Sequence, residues 1–181
     1  MRLILTLFLL LSSNTAFSIK QTTIKNYILK TEKQYKLPPA LLDSVIEHES
    51  SYQIKAINPV SNYNSVTSYG LGQITLPTAR DYCDIKNKNE LVKHDKNIKC
   101  TAKILRHHLD EYGDVASALS AYRAGSPCNH QAKRHIRICT QQDSAYVKGI
   151  LRKIQKKIYK IQKISRQKSI EVAKADQEEL P

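Results

Sequence analysis

Leu41 to Glu49 reads Leu-Leu-Asp-Ser-Val-Ile-Glu-His-Glu, and its spacing sets a carboxylate on an apolar face. Leu42, Val45, Ile46 and Glu49 follow the i, i+3, i+4, i+7 pattern of one side of a helix. Successive helical residues are turned by about 100°, so Glu49 ends beneath the apolar stripe, while Glu47, about 200° away, points to solvent. Partial burial disfavours a charged carboxyl and raises its pKa, which suits a general acid working near neutral pH. The competing reading is a helix-end Glu bent back to water or tied up by a hydrogen bond.

Four cysteines, Cys83, Cys100, Cys128 and Cys139, are the other chemistry-bearing set. An even number in an exported chain points to disulfides, and the expected pairs are the two local ones, Cys83 with Cys100 and Cys128 with Cys139. Zinc sites favour close pairs such as C-x₂-C. These cysteines stand 17, 28 and 11 residues apart, and the adjacent His107 and His108 diverge on a helix, so no metal is expected.

Export itself is read from the N-terminus. Arg2 precedes an apolar run from Leu3 to Leu11, and Ala16 and Ser18 stand at −3 and −1 of a cut before Ile19, the pattern of a cleavable signal peptide over residues 1–18. The chain is basic, with 29 Lys and Arg against 16 Asp and Glu. Nine of these cations fall between Lys148 and Lys168 with no acid among them, so the basicity is concentrated. Nucleic acid is a compositional alternative for such a run, but secretion argues against it.

The elements that must position these groups read as helices. Thr22 to Lys36 is an amphipathic helix, Pro38 starts the helix bearing Glu49, and Ser51 to Tyr69 is a long polar loop. A short helix spans Pro77 to Cys83, Asp95 caps a helix ended by Gly113, and Asp114 caps another closed by Gly125. No run alternates like a strand, so the expected fold is all-α, one compact disulfide-tied domain over residues 19–150. Residues 151–181 are expected to form a basic helical extension, its apolar positions at Ile154, Ile158, Ile161 and Ile164, with a disordered acidic tail beyond Ser169.

Read in order, three motifs give the chain a resemblance to the SLT-type lytic transglycosylases, the goose-lysozyme-like enzymes that cleave peptidoglycan glycan strands. Glu49-Ser50 resembles the family's catalytic Glu-Ser. Gly70-Leu71-Gly72-Gln73-Ile74 followed by Pro77 is similar to its Gly-Leu-Met-Gln-Ile…Pro, and Ala121-Tyr122-Arg123-Ala124-Gly125 to its Ala-Tyr-Asn-Ala-Gly. Tyr146-Val147 resembles the pair that begins its last helix. The likeness covers Leu37 to Lys153. Two positions depart from it: Gly72 stands where Met is usual, which widens the expected cleft floor, and Arg123 stands where Asn is usual.

The resemblance implies a lysozyme-like helical fold with Glu49 catalytic and Ser50, Gly70, Gln73, Tyr122 and Tyr146 binding substrate. The residues' own chemistry agrees with this without demanding it. Gln73 supplies an amide that both donates and accepts, and the tyrosines supply rings for sugar faces; glycine turns and core tyrosines are the alternatives. The implied reaction needs no cofactor: Glu49 protonates the bond between N-acetylmuramic acid and N-acetylglucosamine, then acts as base while a 1,6-anhydro ring closes. Two other functions compete, a hydrolytic lysozyme using a second carboxylate such as Asp81 and a non-catalytic peptidoglycan-binding adaptor. The expected setting is the periplasm, as a monomer acting on glycan strands beside a secretion, conjugation or pilus system, with no nucleic-acid partner.

Overall fold

Helix α1 (residues 22–34) turns Ile24 and Ile28 into the core of a computed structural model that describes residues 22–60, 66–126, 128–129, 137–138 and 140–178. The expected signal segment lies outside the described residues. Near the end of α1, Glu32 is buried, and its two carboxylate oxygens accept from Ala40 N and Leu42 N, each at 2.9 Å. These are orphan donors at the start of α2 (Leu41–Ser50), so a side chain from the preceding helix caps it. That cap corrects the expected start at Pro38. The proline carbonyl accepts from Leu41 N in a turn, Ala40 adopts a left-handed φ of 66°, and the helix begins only at Leu41.

Ser51 and Tyr52 both take positive φ and end α2 abruptly, which carries the chain into the segment read as a polar loop. It holds strands instead. β1 (Ile57–Asn58), β2 (Ser68–Tyr69) and β3 (Ile74–Thr75) form an antiparallel sheet in chain order, with Ile57 opposite Tyr69 and Ser68 opposite Thr75. Strands of two residues are too short to show alternation, which is why the sequence concealed them.

Thr75 caps α3 (Leu76–Cys83), and α4 (Lys88–Leu91), a single turn absent from the sequence reading, follows. Helix α5 (His94–Tyr112) is preceded by Lys93, so Asp95 lies within its first turn rather than capping it. Gly113 ends α5, and Asp114 caps α6 (Val115–Ala124), its Oδ1 accepting from Ser117 N at 2.9 Å. Both expectations hold. One side of α5, with Ile98, Ala102 and Leu105, packs on α2 and α6; another, with Cys100 and Ile104, packs on Ile74, Ala79 and Leu91. The Cys83–Cys100 disulfide ties α3 to that second side as expected, closing a 17-residue separation and contributing about 3 kcal/mol. Strands β4 (Cys128–Asn129) and β5 (Arg137–Ile138) pair in parallel; Cys139, and with it the second expected disulfide, lies outside the described residues.

Helix α7 (Gln141–Glu178) runs for 38 residues. Its first half is core: Ile150 is fully buried, and Val147, Leu151 and Ile154 pack beside it, so the domain boundary expected at residue 150 falls inside a continuous helix. Lys153 and Lys157 then clamp it to α2 by pairing with Glu47 and Asp43. From Tyr159 to Ala173 every side chain is exposed. The disordered tail expected beyond Ser169 is corrected, since the helix continues to Glu178. No glycine or proline follows Gly149 in it, and Gln167 donates to Glu171 one turn on, at 3.1 Å. None of the described helices is long and apolar enough to cross a membrane.

The packed and projecting halves of α7 make opposite demands on the same residue type. Ile150→Ala should cost about 2 to 5 kcal/mol in urea unfolding, because it opens a cavity in a filled core. Ile164→Ala, at a position 58% exposed, should stay within about 0.5 kcal/mol.

Candidate active site

Glu49 stands one residue before the end of α2, at the edge of the core that Leu42, Val45 and Ile46 fill. Its nearest partner comes from α7, where the Tyr146 hydroxyl donates to Glu49 Oε1 at 2.5 Å. The Tyr146 ring meets the His48 ring edge-on, with centroids 4.9 Å apart. Gly149 allows this approach, since a Cβ there would come within 3.2 Å of His48 Cε1.

Burial pushes the Glu49 carboxyl up to about 7, although the Tyr146 hydrogen bond and the Arg123 charge pull the other way. The residue keeps partial solvent exposure. Its Oε1 is occupied by Tyr146, whereas Oε2 has no hydrogen-bond partner among the described residues. A carboxyl that is protonated near neutrality and has one oxygen open can give a proton and later take one back.

Arg123 explains how Tyr146 is held. Its guanidinium lies over the Tyr146 ring, 5.6 Å from the centroid, and donates to the buried Asp143 at 2.6 Å and to Gln142 at 3.2 Å. Asp143 also accepts from Thr140 N and Thr140 Oγ1, each at 2.9 Å, while its own N–H donates back to Thr140 Oγ1. This is a reciprocal cap at the start of α7, one turn before Tyr146. The sequence reading marked Arg123 only as a departure from a family pattern and missed Thr140, Asp143 and His48. Thr140-x-x-Asp143 before an apolar run was the available signal.

Gly72 marks where the loop between β2 and β3 meets α5 and α6. Its N–H donates to Asn97 Oδ1 at 2.7 Å, and its carbonyl accepts from the Tyr122 hydroxyl at 2.6 Å. A Cβ at this position would sit 2.0 Å from Thr101 Oγ1. The small size of Gly72 is therefore consumed by packing and is not free to widen a cleft. At Gly70, with φ +73°, a Cβ would sit 2.4 Å from Asn97 Nδ2 and 2.7 Å from the Leu91 carbonyl oxygen. Asn97, buried within α5, donates to the Leu91 and Tyr69 carbonyls at 2.8 and 3.0 Å and so holds the loop from below.

Of the residues expected to bind substrate, Tyr146 and Tyr122 converge on Glu49; the negative carboxylate raises the pKa of both hydroxyls, in each case after burial. Ser50, Gly70 and Gln73 are engaged inside the protein. Ser50 Oγ donates to the Ile46 carbonyl at 3.2 Å, and Gln73 Nε2 donates to the Gly70 carbonyl at 2.8 Å while its Oε1 accepts from Ser68 at 2.8 Å. These contacts shape the loop and the helix end. On the outer side of α2, burial would raise Glu47, but hydrogen bonds from Lys153 and Lys157 outweigh it and hold the carboxyl down at about 2. Asp43 shares Lys157, and Asp81 is exposed on α3.

Comparison with known proteins bears on the family and the fold. The family described as the transglycosylase SLT domain matches residues 26–142. A protein named transglycosylase from Enterobacteria phage PRD1 is 37% identical over 93 residues, covering 51% of this chain and 31% of its own. Among solved structures, an inactive Glu-to-Gln mutant of lytic transglycosylase Slt from Pseudomonas aeruginosa superposes with a TM-score of 0.58 at 19% identity, over 72% of this chain and 23% of that one. The chain thus spans less than a third of the length of either relative, and the second likeness is one of fold. The half-buried acid and the glycine loop lie within the matched residues, Tyr146 stands four residues beyond them, and the chain belongs to the transglycosylase SLT domain family.

Proposed function

We propose that this protein is a lytic transglycosylase that cuts the β-1,4 bond between N-acetylmuramic acid and N-acetylglucosamine in peptidoglycan, using Glu49 first as acid and then as base. The observation that carries the reading is the Glu49 carboxyl itself, raised to about 7 with Oε2 open beside Tyr146. Both relatives named above are transglycosylases, and in one of them a single Glu-to-Gln change accompanies loss of activity.

In this mechanism the proton on Oε2 passes to the glycosidic oxygen as that bond to the anomeric carbon breaks. The acetamido oxygen of the same sugar stabilises the oxocarbenium-like centre. Glu49, now a carboxylate, removes the proton from the muramic C6 hydroxyl, whose oxygen closes the 1,6-anhydro ring. Tyr146 keeps its hydrogen bond to Oε1 throughout, so the carboxylate that forms is stabilised and held in place. Two-carboxylate glycosidases instead place a second acid within about 5 to 10 Å to supply or activate a nucleophile. Asp43 and Glu47 are bound to α7 lysines and Asp143 to Arg123, which supports the one-carboxylate route. The signal-like N-terminus supports placing the reaction outside the cytoplasm, in the periplasm.

Glu49→Gln keeps shape and hydrogen bonding but removes the transferable proton. Peptidoglycan turnover should fall about 10²- to 10⁴-fold, while Glu47→Gln should stay within about threefold, as measured by release of soluble muropeptides. A fall of less than tenfold for Glu49→Gln contradicts the assignment.

Products give the second check. Mass spectrometry should find muramic ends lighter by one water than reducing ends. Reducing ends as the main product would make water the nucleophile and the enzyme a hydrolase.

The pH profile gives the third. Activity should decline as pH rises through about 7, where Glu49 loses its proton. Tyr146→Phe removes an influence that lowers the Glu49 pKa, so its alkaline limb should move to higher pH as its maximal rate falls. A limb that stays in place would show that Tyr146 does not act on Glu49.

A further inference from the structure

Beyond the Glu49 site, the outstanding feature of the surface is the cation array on α7. With each residue turned by about 100°, Lys148, Arg152, Lys156, Lys160, Lys163 and Arg166 fall within an arc of about 120° and extend along about 27 Å of helix. All six are exposed, and none is ion-paired to a described residue. The interleaved Lys153 and Lys157 are turned toward Asp43 and Glu47 and are less exposed. The array is therefore what remains after α7 has satisfied its own fold: a straight line of unspent charge.

We propose that this ridge is a second binding surface for the substrate polymer, holding carboxylates of peptidoglycan peptide stems while Glu49 works on a nearby glycan bond. The inference rests on the reading of the protein as a peptidoglycan-cleaving enzyme. Position supports it, because the ridge begins at Lys148, two residues after Tyr146, and so starts at the axial level of the Glu49 site before running away from it. Charge complementarity supports it too, since stem peptides end and branch in carboxylates and α7 offers no acid between Lys148 and Lys168.

A bilayer is a poorer fit. A helix lying in a lipid surface must bury an apolar side, and the exposed apolar residues Ile161 and Val172 lie within about 40° of the side on which Ile150 packs into the domain. The domain stands on that side and holds a flat surface away. On the ridge itself the large apolar residues are Tyr159 and Ile170, so contact there is made mainly by charge.

The test is co-sedimentation with purified wall sacculi, in a Glu49→Gln background so that no cleavage intervenes. Neutralising Lys156, Lys160, Lys163 and Arg166 together to Gln should weaken adsorption about tenfold or more and flatten its dependence on salt. Lys30, Lys88, Lys99 and Lys103, exposed elsewhere, changed together to Gln alter net charge equally and should shift adsorption less than about twofold. Circular dichroism checks that both variants fold. Sacculi whose carboxyls have been amidated should bind wild type and the ridge variant alike.

Equal losses in the two variants would overturn the proposal in favour of net charge alone. So would ridge-dependent binding to phosphatidylglycerol vesicles together with ridge-independent binding to sacculi. Absence of 1,6-anhydro products would remove the proposed reaction while leaving this adsorption result readable in its own right.

Discussion

The short hydrogen bond from Tyr146 to Glu49 joins the two elements that the rest of the structure is built to hold together, α2 and α7. The opposing influences on that one carboxyl explain its setting. Burial favours the neutral acid, while the tyrosine hydroxyl and the Arg123 charge favour the carboxylate, and burial prevails. The balance carries a stability cost with a defined sign. Because folding raises this pKa from an ordinary 4.5 to about 7, the folded state binds a proton that the unfolded chain has released between those values. The contribution is therefore complete below about pH 4.5 and is lost as pH rises through 7. By the pH at which Glu49 loses its proton in the folded protein, about 7, that contribution has been lost.

Other contacts restrict how α2 and α7 can move around that bond. On the outer face of α2, Lys153 and Lys157 pair with Glu47 and Asp43, and Tyr52 donates to Asp43 at 2.8 Å while accepting from Lys157. At the start of α7, Arg123 and the Thr140–Asp143 cap fix the helix one turn before Tyr146. At Gly149 the backbone comes close enough for His48 to rest against it. Glu47, which its spacing points to solvent, is thus with Asp43 a structural partner of the helix that carries the tyrosine.

What the sequence disclosed and what it hid follow from the range of the interactions. The helical period around Leu42, Val45 and Ile46 is local, so Glu49 on its apolar edge was legible, as were Asp114, Gly113 and Gly125 at helix ends. Two-residue strands have no period to read. Glu32 capping α2 and Asn97 joining Gly72 and Tyr69 link residues 8 to 28 positions apart, and no spacing rule announces them. The family resemblance assigned Gly70 and Gln73 of this loop to substrate; the contacts that fix Gly70 against Asn97 and Leu91, and Gln73 against the Gly70 carbonyl and Ser68, are not legible in that motif. The disordered tail was an error of composition: an acidic, polar segment with no helix breaker remains helical when it continues a long helix.

The central claim is that Glu49 is still protonated near neutral pH in the folded protein. It can be read directly by following the carboxyl carbon of Glu49 by NMR in protein labelled at glutamate, with Glu49→Gln used to assign the resonance. The account predicts a titration centred at about 7. A midpoint near the ordinary 4.5 would show a carboxylate already charged at neutrality, and the acid role built on its burial would fail.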